Sequence, residues 1–336
     1  MNINSLKQTA QAMVAPGKGI LAADESSKTV QKRFDKIGVT STPETNLKYR
    51  GMLFATPGIE EYISGVILYD ETIRQSIDGK SVPEYLQSKG ILPGIKVDKG
   101  AWRLANFEEE KITEGLDNLR DRLIEYKEMG AKFAKWRAVI TIGEGIPTDT
   151  CIEANAESLA RYAALCQEQD IVPIVEPEVL MDGGHSLEQC KEATAKVLKA
   201  VFERLKLHKV VLEGMILKPN MVISGKENPT QASSKEIAQA TVETFLEAVP
   251  KEVPGIVFLS GGQTPDEATE TLKEINSIPG SPWQLSYSYG RALQDEALKV
   301  WAGKQENKEA AQKAFLERAK KVSEARSPER SHRWYN

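Results

Sequence analysis

Short apolar runs alternate with longer segments of helical periodicity along most of the chain. A bounded apolar run suits a buried strand, and apolar positions three and four apart suit one face of a helix. This alternation predicts βαβ units and a parallel sheet. The eight apolar runs are Gly19–Ala23, Ser64–Tyr69, Leu92–Val97, Phe133–Ile140, Ile171–Val175, Gly214–Leu217, Gly255–Leu259 and Gln284–Tyr287.

Helical patterns lie between these runs, and eight strands with intervening helices favour a (β/α)8 TIM barrel over a doubly wound sheet. Thr264 is the expected N-cap of one helix, because Pro265 suits its first turn. The connection between the first two strands is the longest and has room for extra helices. The clearest helical patterns are Thr113–Met129, Glu153–Gln169, Leu187–Lys206, Ser233–Val249 and Thr264–Asn276.

The chain continues past the eighth strand as a charged helical pattern over Asp295–Lys321. Its end, Arg326–Asn336, has the composition of a mobile tail. A length of 336 residues equally allows two domains, but no low-complexity linker divides the sequence. We therefore predict one catalytic barrel domain over 1–336, with a tail from about residue 322.

The composition excludes several classes of protein. A net charge of −4 gives no basic face for nucleic acid, and no run of 18 apolar residues is present to span a membrane. The segment Met1–Ala10 is polar and lacks a signal-peptide core. Three cysteines without a C-x-x-C pair suit a reducing compartment. We expect a cytoplasmic protein, or an organelle protein such as a processed plastid form.

The cofactor signatures are also missing. A zinc site would need most of the three scattered histidines, His185, His208 and His332. No Rossmann-type glycine turn and no Walker A sequence is present. We therefore expect neither a metal nor another cofactor.

Polar residues occupy the C-terminal ends of seven of the eight predicted strands. That end of a barrel is where active sites are built. A single such residue is most simply an ion pair or a satisfied edge group, but seven together favour a site. From the first strand to the eighth, these residues are Asp24, Lys96, Lys135 and Arg137, Glu176 and Glu178, Lys218, Ser260 with Gly261 and Gly262, and Ser288 with Gly290 and Arg291.

This inventory contains lysines and carboxylates but no histidine or cysteine, which restricts the chemistry. A lysine in a closed pocket near another cation loses its proton more easily, and the neutral amine can then form a Schiff base with a carbonyl. Lys218 follows an apolar pair and has Lys135 as a candidate neighbour across the lumen. Carboxylates at Glu176, Glu178 and Asp24 are candidates to move protons.

Cations and glycine amides near the strand ends are candidate anion sites. Two separated groups of them would suit a substrate with a phosphate at each end. The candidates are Arg33, Lys96, Arg137, Arg291 and the amides of Ser260-Gly261-Gly262.

Several motifs, in order, resemble those of class I (Schiff-base) fructose-1,6-bisphosphate aldolases. The resemblance extends from about Gly17 to about Lys321. It rests on Gly19-Ile-Leu-Ala-Ala-Asp-Glu-Ser26, Lys96-Val-Asp-Lys-Gly100, Phe133-Ala-Lys-Trp-Arg137, Pro173-Ile-Val-Glu-Pro-Glu178, Leu217-Lys-Pro-Asn-Met221, Leu259-Ser-Gly-Gly-Gln263 and Ser288-Tyr-Gly-Arg-Ala-Leu293.

The resemblance implies a metal-independent barrel enzyme, usually a homotetramer. Its reaction would be the reversible cleavage of fructose 1,6-bisphosphate to dihydroxyacetone phosphate and glyceraldehyde 3-phosphate, in glycolysis, gluconeogenesis or the Calvin cycle. By this resemblance Lys218 is the Schiff-base lysine, and Glu176 is the acid and base for the carbinolamine, with Glu178 beside it. Asp24 and Lys135 support Schiff-base formation and carbon–carbon cleavage.

The same resemblance implies two phosphate sites. The site for the ketose C1 phosphate comprises Arg33, Ser260, Gly261, Gly262, Ser288, Gly290 and Arg291. Lys96, Ser26 and Arg137 would lie at the far phosphate.

Two segments depart from the family pattern. Ser27-Lys28-Thr29 stands where animal relatives have small residues, so Lys28 adds charge near the phosphate entry. The chain ends with Tyr335 in the penultimate position, where many relatives end in a tyrosine that helps to protonate the enamine. Tyr335 is therefore a candidate tail proton donor, and a basic end without that role is the alternative.

Three alternatives stay open. One is a preference for sedoheptulose 1,7-bisphosphate, or the use of both sugars. Another is a binding protein that keeps the barrel without catalysis, although the lysine, its carboxylates and both cation groups are all present. A metal-dependent aldolase is disfavoured because the histidines are not at strand ends.

Overall fold

The structure is a computed structural model, and it describes residues 1–327. Eight parallel strands form a closed barrel in which each strand pairs with the next and β1 pairs with β8. The predicted (β/α)8 architecture is confirmed. The strands are β1 Gly19–Ala23, β2 Ile63–Leu68, β3 Leu92–Lys96, β4 Phe133–Ile140, β5 Val172–Val179, β6 Ile216–Leu217, β7 Gly255–Phe258 and β8 Gln284–Tyr289.

Helices surround the barrel, and the long connection between β1 and β2 holds two of them, as predicted. The helices are α1 Ile3–Met13, α2 Ser27–Phe34, α3 Pro43–Phe54, α4 Asp70–Ile73, α5 Val82–Ser88, α6 Leu119–Glu128, α7 Asp149–Glu168, α8 Leu187–Leu207, α9 Ser234–Ala248, α10 Pro265–Ser277, α11 Arg291–Trp301 and α12 Lys308–Glu324. Two short hairpins, Ser76–Ile77 with Lys80–Ser81 and Ala101–Arg103 with Lys111–Thr113, lie outside the barrel.

Three helical predictions were wrong in their bounds. The helix expected from Glu153 begins already at Asp149, after its N-cap Thr148. The helix expected from Thr113 begins only at Leu119, because Thr113 ends a hairpin strand and Gly115 has a φ of +127° that no helix accommodates. The pattern over Asp295–Lys321 is two helices, α11 and α12. They separate at Ala302 and Gly303, both in the left-handed region.

The chain stays ordered beyond the predicted start of the tail. Helix α12 continues to Glu324, so the boundary near residue 322 falls inside it. Arg326, expected to open the mobile tail, is buried at the N-terminal end of the barrel. Its guanidinium donates hydrogen bonds to the carbonyl oxygens of Val14, Ala15, Lys18 and Leu285.

Apolar side chains fill the N-terminal half of the barrel lumen. Helix α1 covers this end, where Leu6 and Val14 lie against Gly214 and Gly255, just before or at the start of β6 and β7. Phe133 fills the space opposite Gly94, where a Cβ would lie only 2.2 Å from the ring. The buried lysines and carboxylates of the lumen, Asp24, Lys135, Glu176 and Lys218, lie in its C-terminal half.

Candidate active site

Strand alternation sets which side chains enter the C-terminal half of the lumen. Val172 and Ile174 of β5 belong to the apolar lumen cluster, so Glu176 and Glu178 continue the same face. Likewise Lys135 follows the lumen residue Phe133 at the same spacing on β4. Strand β5 extends to Val179 rather than ending at Val175, so both carboxylates lie on the strand itself.

Four charged side chains form a buried chain of ion pairs at this level. The Lys135 Nζ lies 2.7 Å from Asp24 Oδ2 and 3.4 Å from Glu176 Oε2. The Lys218 Nζ lies 3.5 Å from Glu176 Oε1. Each of the four residues is at most 8% exposed. Glu176 therefore connects the two lysines, and four of the five predicted catalytic candidates are brought together.

The backbone holds Lys218 beside its carboxylate. The Lys218 amide donates to the Val175 carbonyl at 2.8 Å, which places the lysine next to Glu176 on the neighbouring strand. Two residues later, Asn220 accepts a hydrogen bond from the Val179 amide at 2.9 Å. These contacts fix the offset between β5 and β6 and therefore the spacing of the two side chains.

The two lysines are in opposite electrostatic situations. Burial and the positive charge of Lys135 lower the pKa of Lys218, although Glu176 and Asp24 oppose this shift. Burial would also lower the pKa of Lys135, but Asp24 and Glu176 outweigh it and raise that pKa. Lys135 is thus held as a cation, while Lys218 is the amine more readily available in its neutral form.

Asp24 is the matching anion. Burial opposes its ionisation, but Lys135 and Lys218 outweigh burial and hold the pKa of Asp24 well below its usual range. The carboxylate is therefore ionised at neutral pH, and it is a proton acceptor for a group that becomes acidic during a reaction.

A second ion pair lies nearer to solvent. The Arg137 Nε donates to Glu178, which is buried, whereas the Arg137 side chain is 41% exposed. Burial opposes the charge of Arg137, but Glu178 raises its pKa. Glu178 is thus engaged by Arg137, and Arg137 presents the rest of its guanidinium to the opening.

These side chains line one cavity of about 450 Å³. Its mouth is bordered by glycine loops that follow β7 and β8 and by helix α2. Of the predicted residues, it includes Asp24, Arg33, Lys135, Arg137, Glu176, Glu178, Lys218, Ser260, Gly261, Ser288, Gly290 and Arg291. The Ser288 hydroxyl is buried and has no hydrogen-bond partner among residues 1–327.

Three predicted residues lie outside this cavity. Gly262 borders a separate cavity of about 290 Å³, after a turn with φ +84°. Lys96 and Ser26 border a neighbouring cavity of about 550 Å³. Lys96 is drawn there by Asp98, whose Oδ1 lies 3.3 Å from its Nζ. Tyr335 lies outside the described residues.

A family model described as fructose-bisphosphate aldolase class-I matches residues 5–332. The chain is 56% identical over 322 residues to a probable fructose-bisphosphate aldolase class 1 of Xanthomonas axonopodis pv. citri, covering 95% of this chain and 96% of that protein. It is 51% identical over 323 residues to fructose-bisphosphate aldolase 1 of Toxoplasma gondii, covering 95% and 89%. The chain belongs to the class-I fructose-bisphosphate aldolase family.

A solved structure agrees with this membership. The chain superposes with a TM-score of 0.94 and 48% identity on fructose-bisphosphate aldolase from Plasmodium falciparum, in a structure titled as a complex with TRAP and a small molecule inhibitor. The match covers 96% of this chain and 94% of that one. The predicted family and the predicted fold are both confirmed, and the predicted enzyme class follows from them. The roles of individual site residues remain predictions.

Sequence reasoning missed several residues of this aldolase site. Lys32 of α2 and Lys36, in the short 3₁₀ helix that follows it, line the cavity, as does Glu25, the neighbour of Asp24. The lysines at 28, 32 and 36 recur every four residues, which was the available signal for one cationic helix face. Thr29 also lines the cavity, and its hydroxyl lies 3.1 Å from that of Ser26.

Among residues 1–327 no cluster of three or more histidine, cysteine, aspartate or glutamate side chains is arranged to hold a metal ion. The helices within that range include none that is long and apolar enough to cross a bilayer.

Proposed function

We propose that Lys218 is the residue through which this class-I aldolase cleaves fructose 1,6-bisphosphate reversibly to dihydroxyacetone phosphate and glyceraldehyde 3-phosphate. The observation that carries the proposal is a buried lysine amine whose pKa is lowered and whose ion-pair partner is Glu176, 3.5 Å away. A neutral amine beside a carboxyl group is the arrangement that Schiff-base formation needs.

In the forward direction, the neutral Lys218 amine attacks the ketose C2 carbonyl and forms a carbinolamine. Glu176 takes a proton from the nitrogen and returns one to the C2 hydroxyl, which leaves as water and gives the iminium. Glu176 is suited to this transfer because its two oxygens face the two lysines.

Cleavage then uses the iminium as an electron sink. A carboxylate accepts the proton of the C4 hydroxyl, the C3–C4 bond breaks, and its electrons form the enamine while the aldehyde departs. Asp24 is the proposed acceptor, with Lys135 stabilising its charge. Protonation of the enamine at C3 and attack by water on the regenerated iminium release dihydroxyacetone phosphate and restore Lys218.

The phosphates would supply the binding energy that positions the reacting carbons. Arg33, Arg291 and the loops at Ser260 and Ser288 are proposed to hold the C1 phosphate. The far phosphate is proposed to reach Arg137 and then Lys96 and Ser26 in the neighbouring cavity. Activity toward sedoheptulose 1,7-bisphosphate is an additional proposal, tested by comparing kcat/KM for the two sugars.

We also propose that the protein works as a cytoplasmic homotetramer, on the basis of its family and of three buried, unpaired thiols. Light scattering coupled to size-exclusion chromatography gives the mass of the assembly. A mass four times 37.2 kDa is the expected result.

The deciding experiment is reductive trapping. The protein is incubated with dihydroxyacetone phosphate, reduced with borohydride and mapped by mass spectrometry, with and without a chelator. An adduct on Lys218 under both conditions is expected. A folded protein that binds the ligand without forming an adduct would favour the non-catalytic alternative, and chelator-sensitive cleavage would favour a metal enzyme.

A further inference from the structure

Glu25 is a buried carboxylate at the edge of the cavity, next in sequence to Asp24 but directed elsewhere. One of its oxygens, Oε1, accepts hydrogen bonds from the Arg33 Nη1 and from the Gln294 Nε2, the latter at 3.1 Å. The other, Oε2, faces the Arg50 Nη2 at 3.5 Å. Its side chain is 10% exposed. Glu25 therefore joins three elements: α2 through Arg33, α3 through Arg50 and α11 through Gln294.

Arg50 is the fixed support of this group. It is 2% exposed, which is rare for an arginine unless its charge is fully engaged. Its guanidinium donates to the Glu25 carbonyl at 2.6 Å and to the Thr72 hydroxyl at 2.9 Å, and Glu71 lies 3.9 Å away. A guanidinium held on several sides fixes the orientation of the carboxylate it faces.

Gln294 supports Glu25 from the opposite side. Its amide also donates to the Ala22 carbonyl at 2.7 Å, and its oxygen accepts from the Tyr49 hydroxyl at 3.2 Å. Ala22 lies on β1 two residues before Asp24, so the support is tied to the strand that carries the catalytic carboxylate.

Arg33 lines the cavity, as Glu25 does, and its side chain is 17% exposed, more than those of Glu25 and Arg50. With Nη1 on Glu25, the opposite nitrogen, Nη2, points toward Gly290. A Cβ on Gly290 would lie 3.6 Å from that nitrogen. The guanidinium thus turns one edge to Glu25 and keeps the other edge at the loop that precedes Arg291.

We propose that Glu25, held by Arg50 and Gln294, is a positioning residue that orients Arg33 toward the ketose phosphate. This inference rests on the proposed function of the cavity. Glu25 touches no reacting atom. It acts by fixing the direction of one phosphate-binding cation before the substrate arrives, which lowers the cost of ordering that side chain on binding.

The alternative interpretation is simple charge compensation, and it predicts the opposite sign. If Glu25 only offset the charge of Arg33, its removal would leave a more positive cavity that binds phosphate more tightly. If Glu25 positions Arg33, its removal weakens phosphate binding although the cavity becomes more positive.

The test compares Glu25→Gln with the unaltered protein, using two ketones that differ by one phosphate. Reductive trapping on Lys218 is measured with dihydroxyacetone phosphate and with dihydroxyacetone, both below saturation. We expect trapping of the phosphorylated ketone to fall by roughly tenfold and that of dihydroxyacetone to stay unchanged. In steady state, KM for fructose 1,6-bisphosphate rises by a similar factor, while kcat changes little.

Two further variants guard against misinterpretation. Gln294→Met removes a donor to Glu25 without changing the charge and is expected to show the same selective loss, to a smaller degree. Glu110→Gln is the matched control, because Glu110 is 2% exposed and binds the Thr148 backbone amide and hydroxyl outside the cavity. It is expected to trap both ketones normally.

Equal losses for both ketones would mean that Glu25 has a merely structural role, and unchanged or tighter phosphate binding would mean charge compensation. Either result overturns the proposal. If the unaltered protein forms no adduct on Lys218, the proposed function fails instead. The positioning of Arg33 is then decided by calorimetric titration of both proteins with inorganic phosphate, which must bind more weakly to Glu25→Gln.

Discussion

A lysine amine attacks a carbonyl only in its neutral form, and two features of this protein oppose the protonation of Lys218. One is burial, which removes the water that would solvate an ammonium ion. The other is Lys135, which its own carboxylates keep charged. The rate of Schiff-base formation, plotted against pH, should therefore fall on the acidic side around the pKa of Lys218.

We predict that Lys135→Met moves the acidic limb of this pH–rate profile to higher pH. The substitution removes a positive charge that lowers the pKa of Lys218, and it leaves Asp24 as an anion that raises it. More of the amine is then protonated at a given pH. The measurement is the rate of reductive trapping with dihydroxyacetone against pH. Lys96→Met serves as the control, and a limb that stays in place or moves to lower pH would contradict the prediction.

Lys218→Met is predicted to abolish turnover, with a loss of at least roughly 10³-fold. Lys135, the other amine beside Glu176, is held as a cation and cannot attack the carbonyl. The substitution keeps the length of the side chain and removes a buried amine, so the fold should survive. Aldol cleavage is followed by a coupled assay, with Lys226→Met, half exposed on a loop, as the control. Substantial residual cleavage would refute the assignment.

Arg291→Ala is predicted to raise KM for fructose 1,6-bisphosphate by roughly tenfold or more, the usual loss for one charged contact with a phosphate. Arg291 is exposed, so its loss should leave the melting temperature unchanged. The check is steady-state kinetics beside a thermal melt. An unaltered KM would argue against a phosphate role for this residue.

At the scale of the elements, the barrel was predictable because each strand is a short apolar run with clear boundaries. Strands β1 and β4 begin and end where the pattern places them. The predicted ends of strands and helices were wrong where a buried charge or the backbone conformation determines where the element ends. Strand β5 was cut short at Val175 because the buried pairing of Glu176 is a tertiary effect. The helix before β4 was placed too early because a hairpin precedes it.

In the candidate site, too, some residues were predictable from the sequence and others were not. Side chains at strand ends were found because barrel geometry alone brings them together. Lys32, Lys36 and Glu25 were missed because they lie in or beside helix α2, and periodicity does not define where that helix sits relative to the cavity. Lys96 was expected at the far phosphate and borders the neighbouring cavity beside Asp98, so its phosphate role stays a prediction.

Substitution of Arg326 is predicted to lower the stability of the protein and to leave its activity unchanged. Arg326→Met leaves buried carbonyl groups without their donor, which should lower the free energy of unfolding by about 2–4 kcal/mol. The residue lies at the N-terminal end of the barrel, opposite the cavity, so kcat should be unchanged at room temperature. Urea unfolding gives the measurement, and Arg120→Met, at an exposed ion pair, is the control. A small loss, equal to that of the control, would show that the contacts contribute little.

Across the whole molecule, the apolar core of the lumen and the candidate active site lie at opposite ends of the barrel axis. Helix α1 and the apolar lumen cluster occupy one end, and the buried ion pairs and the cavity occupy the other. The buried ion pairs of the lumen lie in the second half and carry an energetic cost of buried charge. Arg326, at the N-terminal end, is a further buried charge, and carbonyl oxygens satisfy its guanidinium. Substitutions in the N-terminal half of the lumen should therefore mainly lower the free energy of unfolding. Substitutions in the C-terminal half should mainly lower the reaction rate.

The pairing of β1 with β8, which aligns Ile20 with Ser288, has a consequence for synthesis of the protein. The cavity draws on residues from Ala22 to Arg291, so the first and last strands must both be present before it exists. A growing chain exposes Lys218 long before it can enclose it. We expect a fragment of residues 1–283 to form no borohydride-stable adduct, and an adduct on that fragment would contradict this. A nascent chain or a fragment that ends before β8 is then inactive, and activity in a translation reaction reports chains that extend past Arg291.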